Sequence, residues 1–114
     1  VEAMARTYGC DPANIRAAIG PCIGKCCFET DGDVPQAMLM ALGGNALPAI
    51  TRQGDKYHVD LKFLNALWLS RAGVGQVDIS PDCTACHTDR YWSHRRMGDA
   101  RGSMAGIIML QGGE

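Results

Sequence analysis

Apolar residues recur at helical spacing in one stretch of the chain and gather into short runs elsewhere, and these two patterns predict its elements. Leu61, Leu64, Asn65, Leu67, Trp68, Leu69 and Ala72 follow the 3.6-residue period of a helix, with Asp60 in front as an N-cap and Gly73 behind as a stop. A second helix is expected over residues 34–42, where the Asp31-Gly32-Asp33 turn supplies the N-cap and Gly43-Gly44-Asn45 ends it. Residues 1–8 read as the last two turns of a further helix stopped by Gly9. No cap or first turn precedes Val1, so the chain is expected to have been cut from something longer.

The shorter runs predict strands. Residues 15–19 form an apolar run with one charge, bounded by Gly20-Pro21, which suits a buried strand. Cys26-Cys27-Phe28-Glu29-Thr30 has strand-like composition, and residues 47–57 read as a loop of extended character broken by Gly54-Asp55. Val74, Val77 and Ile79 alternate as in a strand, and the apolar run from Met104 to Leu110 reads as a buried final strand. This order of elements predicts a mixed α/β architecture with helices packed on a sheet.

Composition narrows the function classes. With 46% hydrophobic and 20% charged residues, the 114-residue chain fits one soluble globular domain or a piece of one. Eleven basic against twelve acidic residues leave a net charge of -1, so no basic field exists to hold nucleic acid or an anionic membrane. No apolar run approaches the roughly 18 residues of a membrane span, and no signal peptide is evident, so a cytoplasmic protein is expected. Six cysteines admit either disulfides or reduced thiols. Cys26 and Cys27 are adjacent and would point to opposite faces of an extended segment, which makes one shared bridge or one shared tetrahedral site difficult and favours reduced thiols.

Two segments carry candidate chemistry. In Gly20-Pro21-Cys22-Ile23-Gly24, a strand running into glycines either turns the chain or brings backbone N–H groups close to a small ligand; Gly20, Pro21 and Cys22 are the candidate pocket wall. No activating group for Cys22 as a nucleophile is identifiable from sequence. The second segment runs from Cys83 to Arg96. Cys83, Cys86, His87 and His94 have donor types suited to zinc or copper, but their spacing is shorter than a finger's, and packed thiols beside surface histidines are the alternative. Arg95 and Arg96 offer planar forks to a phosphate or purine edge, or else form surface ion pairs. Tyr91 and Trp92 read as core or pocket wall, Asn65 as a buried amide bracing a loop, and Arg101 as a further cation of the same loop.

AAIGPCIGKCCFE, DLKFLNALWLSRAGV and CTACHTDRYWSHRR followed by RGSMAGIIML, in this order, resemble the C-terminal half of the laccase-domain family of multicopper polyphenol oxidases and purine nucleoside phosphorylases. The resemblance spans nearly the whole chain. It implies a three-layer α/β/α enzyme with a mixed sheet, cytoplasmic and about twice this length. In it a metal, zinc or alternatively copper, is held by two histidines and one cysteine in an N-terminal half absent from this chain. It implies a purine nucleoside and phosphate as substrates, with adenosine deamination, or alternatively phenolic substrates oxidised with copper; the piece by itself is expected to be inactive. A third reading is a zinc-stapled binding or structural module. Other branches carry Tyr where His94 stands, so the resemblance assigns His94 no shared role.

Overall fold

The computed structural model describes residues 1–112. Its elements are α1 (Glu2–Tyr8), β1 (Arg16–Ile19), β2 (Glu29–Thr30), α2 (Asp33–Leu42), β3 (Ile50–Gln53), β4 (Lys56–Val59), α3 (Leu61–Arg71), β5 (Gln76–Ile79) and α4 (His94–Met97), with short 3-10 turns at Pro12–Asn14, Gly43–Ala49 and Gly98–Ala100. The architecture is mixed α/β. β1 and β5 pair in parallel, with Arg16 opposite Gln76 and Ile19 opposite Ile79. A parallel pair needs a long crossover, and α3 within that connection packs against both strands. A separate antiparallel sheet runs β2-β4-β3.

Asp60 caps α3 as the sequence predicts, its carboxylate accepting from the Phe63 N–H at 3.1 Å. The expected helix over residues 34–42 starts one residue earlier, at Asp33, with Gly32 as the cap and no side-chain cap bond. The extended loop over residues 47–57 resolves into a 3-10 turn and a hairpin. Gln53 faces Lys56, and Gly54 takes φ +64 in the first position of the two-residue turn, a conformation that glycine adopts without steric penalty.

The core lies between α2, the Gly43–Ala49 turn, β4 and α3. Leu42, Ala46, Ala49, Val59 and Leu64 are buried there, with Phe28, Met38 and Leu67 packed against them. Burying each such aliphatic side chain is worth about 1.5–3 kcal/mol, which makes this cluster the main stabilising element.

Three expectations are corrected. The run over residues 15–19 is a strand but not a buried one: Arg16 and Ala18 are exposed while Ala17 and Ile19 are half-buried, because among the described residues β1 pairs with β5 alone in a two-stranded sheet. Residues 104–110 form no strand, and Ile107 and Leu110 are each 93% exposed. A strand exists only beside a hydrogen-bonded neighbour, and no described segment lies along that run. Asn65 is exposed rather than buried. It lines an open cleft of about 740 Å³ between α1, β1 and α3, beside the half-exposed Trp68. No helix of the described residues is long and apolar enough to cross a membrane.

Candidate functional site

The chain leaves β1 through Gly20 and Pro21, both exposed, and reaches Cys22, which is half-buried and bridges in parallel to Cys83. The Thr84 N–H donates to the Cys22 carbonyl at 3.0 Å, so the segments after β1 and after β5 run side by side beyond the strand ends. Next the chain turns sharply. The Gly24 carbonyl accepts from the N–H groups of Cys27 at 3.0 Å and Phe28 at 2.9 Å. His58 Nδ1 lies 2.7 Å from the Lys25 carbonyl and braces the same turn from β4.

This turn overturns the reading of Cys26 and Cys27 as an extended pair with opposed side chains. Strand pairing starts only at Glu29, and in the turn both thiols project to one side. Opposite them stands the turn from Cys83 to Cys86, closed by the His87 N–H donating to the Cys83 carbonyl at 3.2 Å. Cys26 Sγ and Cys27 Sγ each lie 3.5 Å from Cys86 Sγ, and the Gly24 N–H donates to Cys83 Sγ at 3.1 Å. The four sulfur atoms all lie within 4.8 Å of one another, close enough to hold one metal ion. None of the six cysteines is in a disulfide, and Cys10 and Cys22 stand outside the group.

The cluster is electrostatically uneven. Burial opposes ionisation of Cys83, but N–H groups of Gly24, Cys86 and Ala85 and the thiol of Cys26 outweigh it and bring its pKa from 9.0 down to about 6. Cys26 moves the other way, pushed up to about 12 by burial first and then by the neighbouring thiols of Cys86, Cys83 and Cys27. Cys83 is therefore the favoured thiolate at neutral pH, beside a Cys26 thiol that is held protonated.

The remaining candidates sit along the loop behind the cluster. Lys62 of α3 anchors its start, with Nζ 2.5 Å from the carbonyls of both Ser80 and Asp82. The Tyr91 hydroxyl donates to Asp82 at 2.6 Å, and this bond is the main reason that the Asp82 carboxyl lies below its ordinary range. Ser93 is buried and caps α4, accepting from the Arg96 N–H at 3.3 Å. Arg95 donates to the Glu29 carbonyl at 2.8 Å and lies 5.3 Å over the Phe28 ring, which ties α4 to β2. The guanidinium of Arg96 is exposed and makes no hydrogen bond or ion pair among the described residues. Arg101 bonds to the Gly98 carbonyl and faces Asp99.

Of the residues singled out by sequence, Cys83 and Cys86 join the thiol cluster and Cys22 lies beside Cys83 through a backbone bridge, while Gly20 and Pro21 remain outside on the surface. Neither His87 nor His94 joins the thiol cluster; the third and fourth donors are Cys26 and Cys27. A set of two histidines and one cysteine does not assemble among the described residues, and the family's metal has no matching donor set here. A cleft of about 390 Å³ opens beside the thiols, with Gly24, Cys26 and Cys83 on one wall and Asp60, Lys62 and Phe63 on the other.

A family model described as "Multi-copper polyphenol oxidoreductase laccase" matches residues 1–111. The chain belongs to this family. It is 34% identical over 110 residues to "Purine nucleoside phosphorylase YfiH" of Escherichia coli (strain K12), covering 96% of this chain and 44% of that protein. Similarity at 35% over 101 residues extends to "Adenosine deaminase RL5" of an unknown prokaryotic organism, covering 86% of this chain and 38% of that one. The fold is similar to the crystal structure of the Bacillus licheniformis hypothetical protein YfiH, with a TM-score of 0.78 at 36% identity over 83% of this chain and 37% of that one. The chain thus spans less than half the length of the relatives it matches.

Proposed function

We propose that this chain is the C-terminal part of a purine nucleoside phosphorylase that also deaminates adenosine. The observation that carries the reading is similarity, over most of this chain, to part of two proteins bearing those names. In phosphorolysis a phosphate oxygen bonds to C1′ of the ribose while the glycosidic C–N bond breaks, and the bonding pair and a proton go to the purine nitrogen. This part would supply the scaffold beyond the ends of β1 and β5, where open α/β sheets bind their ligands. Arg96 is the available phosphate contact, because Arg95 is already engaged with Glu29 and Phe28. A cytoplasmic setting agrees with its reduced thiols.

The metal of the reaction, zinc in this reading, is held by donors outside the 114 residues, and the isolated piece is inactive. Single-ion Lewis-acid chemistry suits zinc better than an electron path through several coppers. The exposed apolar run from Ile107 to Leu110 and the open side of α3 at Trp68 are consistent with further chain packing against both. A second reading, copper-dependent oxidation of phenols, is favoured by the description of the matching family model.

Incubating the polypeptide as the cell makes it with inosine and phosphate tests the proposal. Hypoxanthine and ribose 1-phosphate are expected, and adenosine should release ammonia. If neither forms with metal-replete protein, the reading fails; oxidation of a phenol in proportion to bound copper would put the second in its place.

A further inference from the structure

We propose that Cys26, Cys27, Cys83 and Cys86 form a closed tetrathiolate site for one structural zinc ion, distinct from the metal of the enzymatic reaction. The inference does not depend on the functional reading, since it rests on four side chains of this chain alone.

Geometry carries it. A zinc–sulfur bond of about 2.3 Å in a tetrahedron places the sulfur atoms about 3.8 Å apart. Here two of the sulfur pairs are 3.5 Å apart and all lie within 4.8 Å, so an ion needs only small side-chain adjustments to seat. The donors come as two pairs on two turns, 59 and 60 residues apart along the chain, and each turn is fixed by its own backbone hydrogen bonds. Four thiolates around a divalent ion leave a surplus of negative charge. The Gly24 N–H donating to Cys83 Sγ at 3.1 Å offsets part of it.

Disulfide chemistry fits the same atoms less well. Cys26 and Cys27 are equidistant from Cys86, so one bridge would exclude the other and strand two thiols. A bridge also requires sulfurs at about 2.05 Å, whereas a metal takes all four near their present separation. Four soft sulfur donors in a compact tetrahedron select zinc among common cellular divalent ions, and a site with every position filled by protein has none open for substrate.

The role follows from what the ion would join. The stretch from Ser80 to Ser93 contains no helix or strand and is held by a few polar contacts, yet it leads to α4, which carries Arg95 and Arg96. A zinc ion would pin this stretch to the turn after β1 and so fix the position of α4 against β2.

The test uses the polypeptide as the cell makes it, purified under reducing conditions without chelator, with metal content measured by mass spectrometry. Cys86→Ser and Cys26→Ser, both at exposed positions, are expected to lower the zinc content by about one equivalent per chain, while Cys10→Ser leaves it unchanged. Replacing zinc with cobalt(II) in the unmutated protein should give strong thiolate-to-cobalt charge-transfer bands and the d–d bands of a tetrahedral ion. This readout is independent of whether a variant folds. Zinc contents equal in Cys86→Ser and parent would overturn the site, as would a cobalt spectrum without thiolate bands, an iron–sulfur or copper chromophore, or a Cys26–Cys86 bridge in peptide mapping. Loss of this zinc and absence of phosphorolysis are read separately, so the two proposals fail independently.

Discussion

Gly24 and Cys83 meet across 59 residues of sequence, the Gly24 N–H donating to Cys83 Sγ at 3.1 Å. The contact is close because Gly24 has no side chain. A Cβ there would lie 3.2 Å from Cys83 Cβ and 3.3 Å from Cys26 Sγ, tighter than ordinary packing. Gly24→Ala is therefore expected to destabilise the chain by about 1–2 kcal/mol through steric pressure on both turns. Urea unfolding checks this, and a midpoint equal to the parent's would show that the turns yield freely.

The pair Tyr91 and Asp82 predicts a pH dependence. The tyrosine hydroxyl, with Arg90 nearby, holds the Asp82 carboxyl below its ordinary 3.8. A depressed folded-state pKa lends stability that is present above the unfolded value and lost as pH falls through the folded one. Accepting the bond from the other side, Asp82 raises the Tyr91 pKa above 10.0, so that contribution is present below 10.0 and lost as pH rises through the folded value. Tyr91→Phe should flatten the stability profile at both extremes, measured as the thermal midpoint against pH. A profile that keeps its shape would count against the bond.

Arg95 and Arg96 are neighbours with different expected phenotypes. Arg95→Ala removes a bond to the Glu29 carbonyl and the stacking on Phe28, and should lower stability by about 1–2 kcal/mol. Lys at this position keeps the charge without the planar fork and should rescue only part of it. Arg96→Ala should change stability by less than about 0.5 kcal/mol. Under the proposed function, Arg96→Ala in the complete protein should raise the KM for phosphate; an unchanged KM would remove Arg96 from the substrate site.

Leu64 is 2% exposed at the centre of the core, and Leu64→Ala is expected to destabilise by about 2–4 kcal/mol. Asp60→Ala, which deletes the cap of the same helix, should lose about 1 kcal/mol. Ile107→Ser, at a fully exposed position, should leave the stability of the 114-residue chain near the parent's. Chemical denaturation of the three variants orders them, and a reversed order would mean that the core is misplaced.

Structure is legible in the sequence wherever one residue acts on its own neighbours. The Asp60 cap, the periodic leucines of α3 and the β1 run reappear with boundaries shifted by a residue or two. Structure that needs a distant partner is not legible there. The composition of residues 26–30 suggested a strand, but Gly24 with His58 on β4 folds the first two of those residues into a turn.

By itself, the sequence determined the family, through three ordered blocks, and the elements whose period or cap lies within one turn of chain. It also supplied all four sulfur donors, without indicating that they meet. Only the tertiary structure decided that grouping, because the parallel pairing of β1 with β5 brings the turns after both strands together, and pairing across some 60 residues leaves no local trace in composition. It likewise decided that residues 104–110 stay exposed, since an apolar run becomes a strand only when a neighbour takes up its backbone hydrogen bonds.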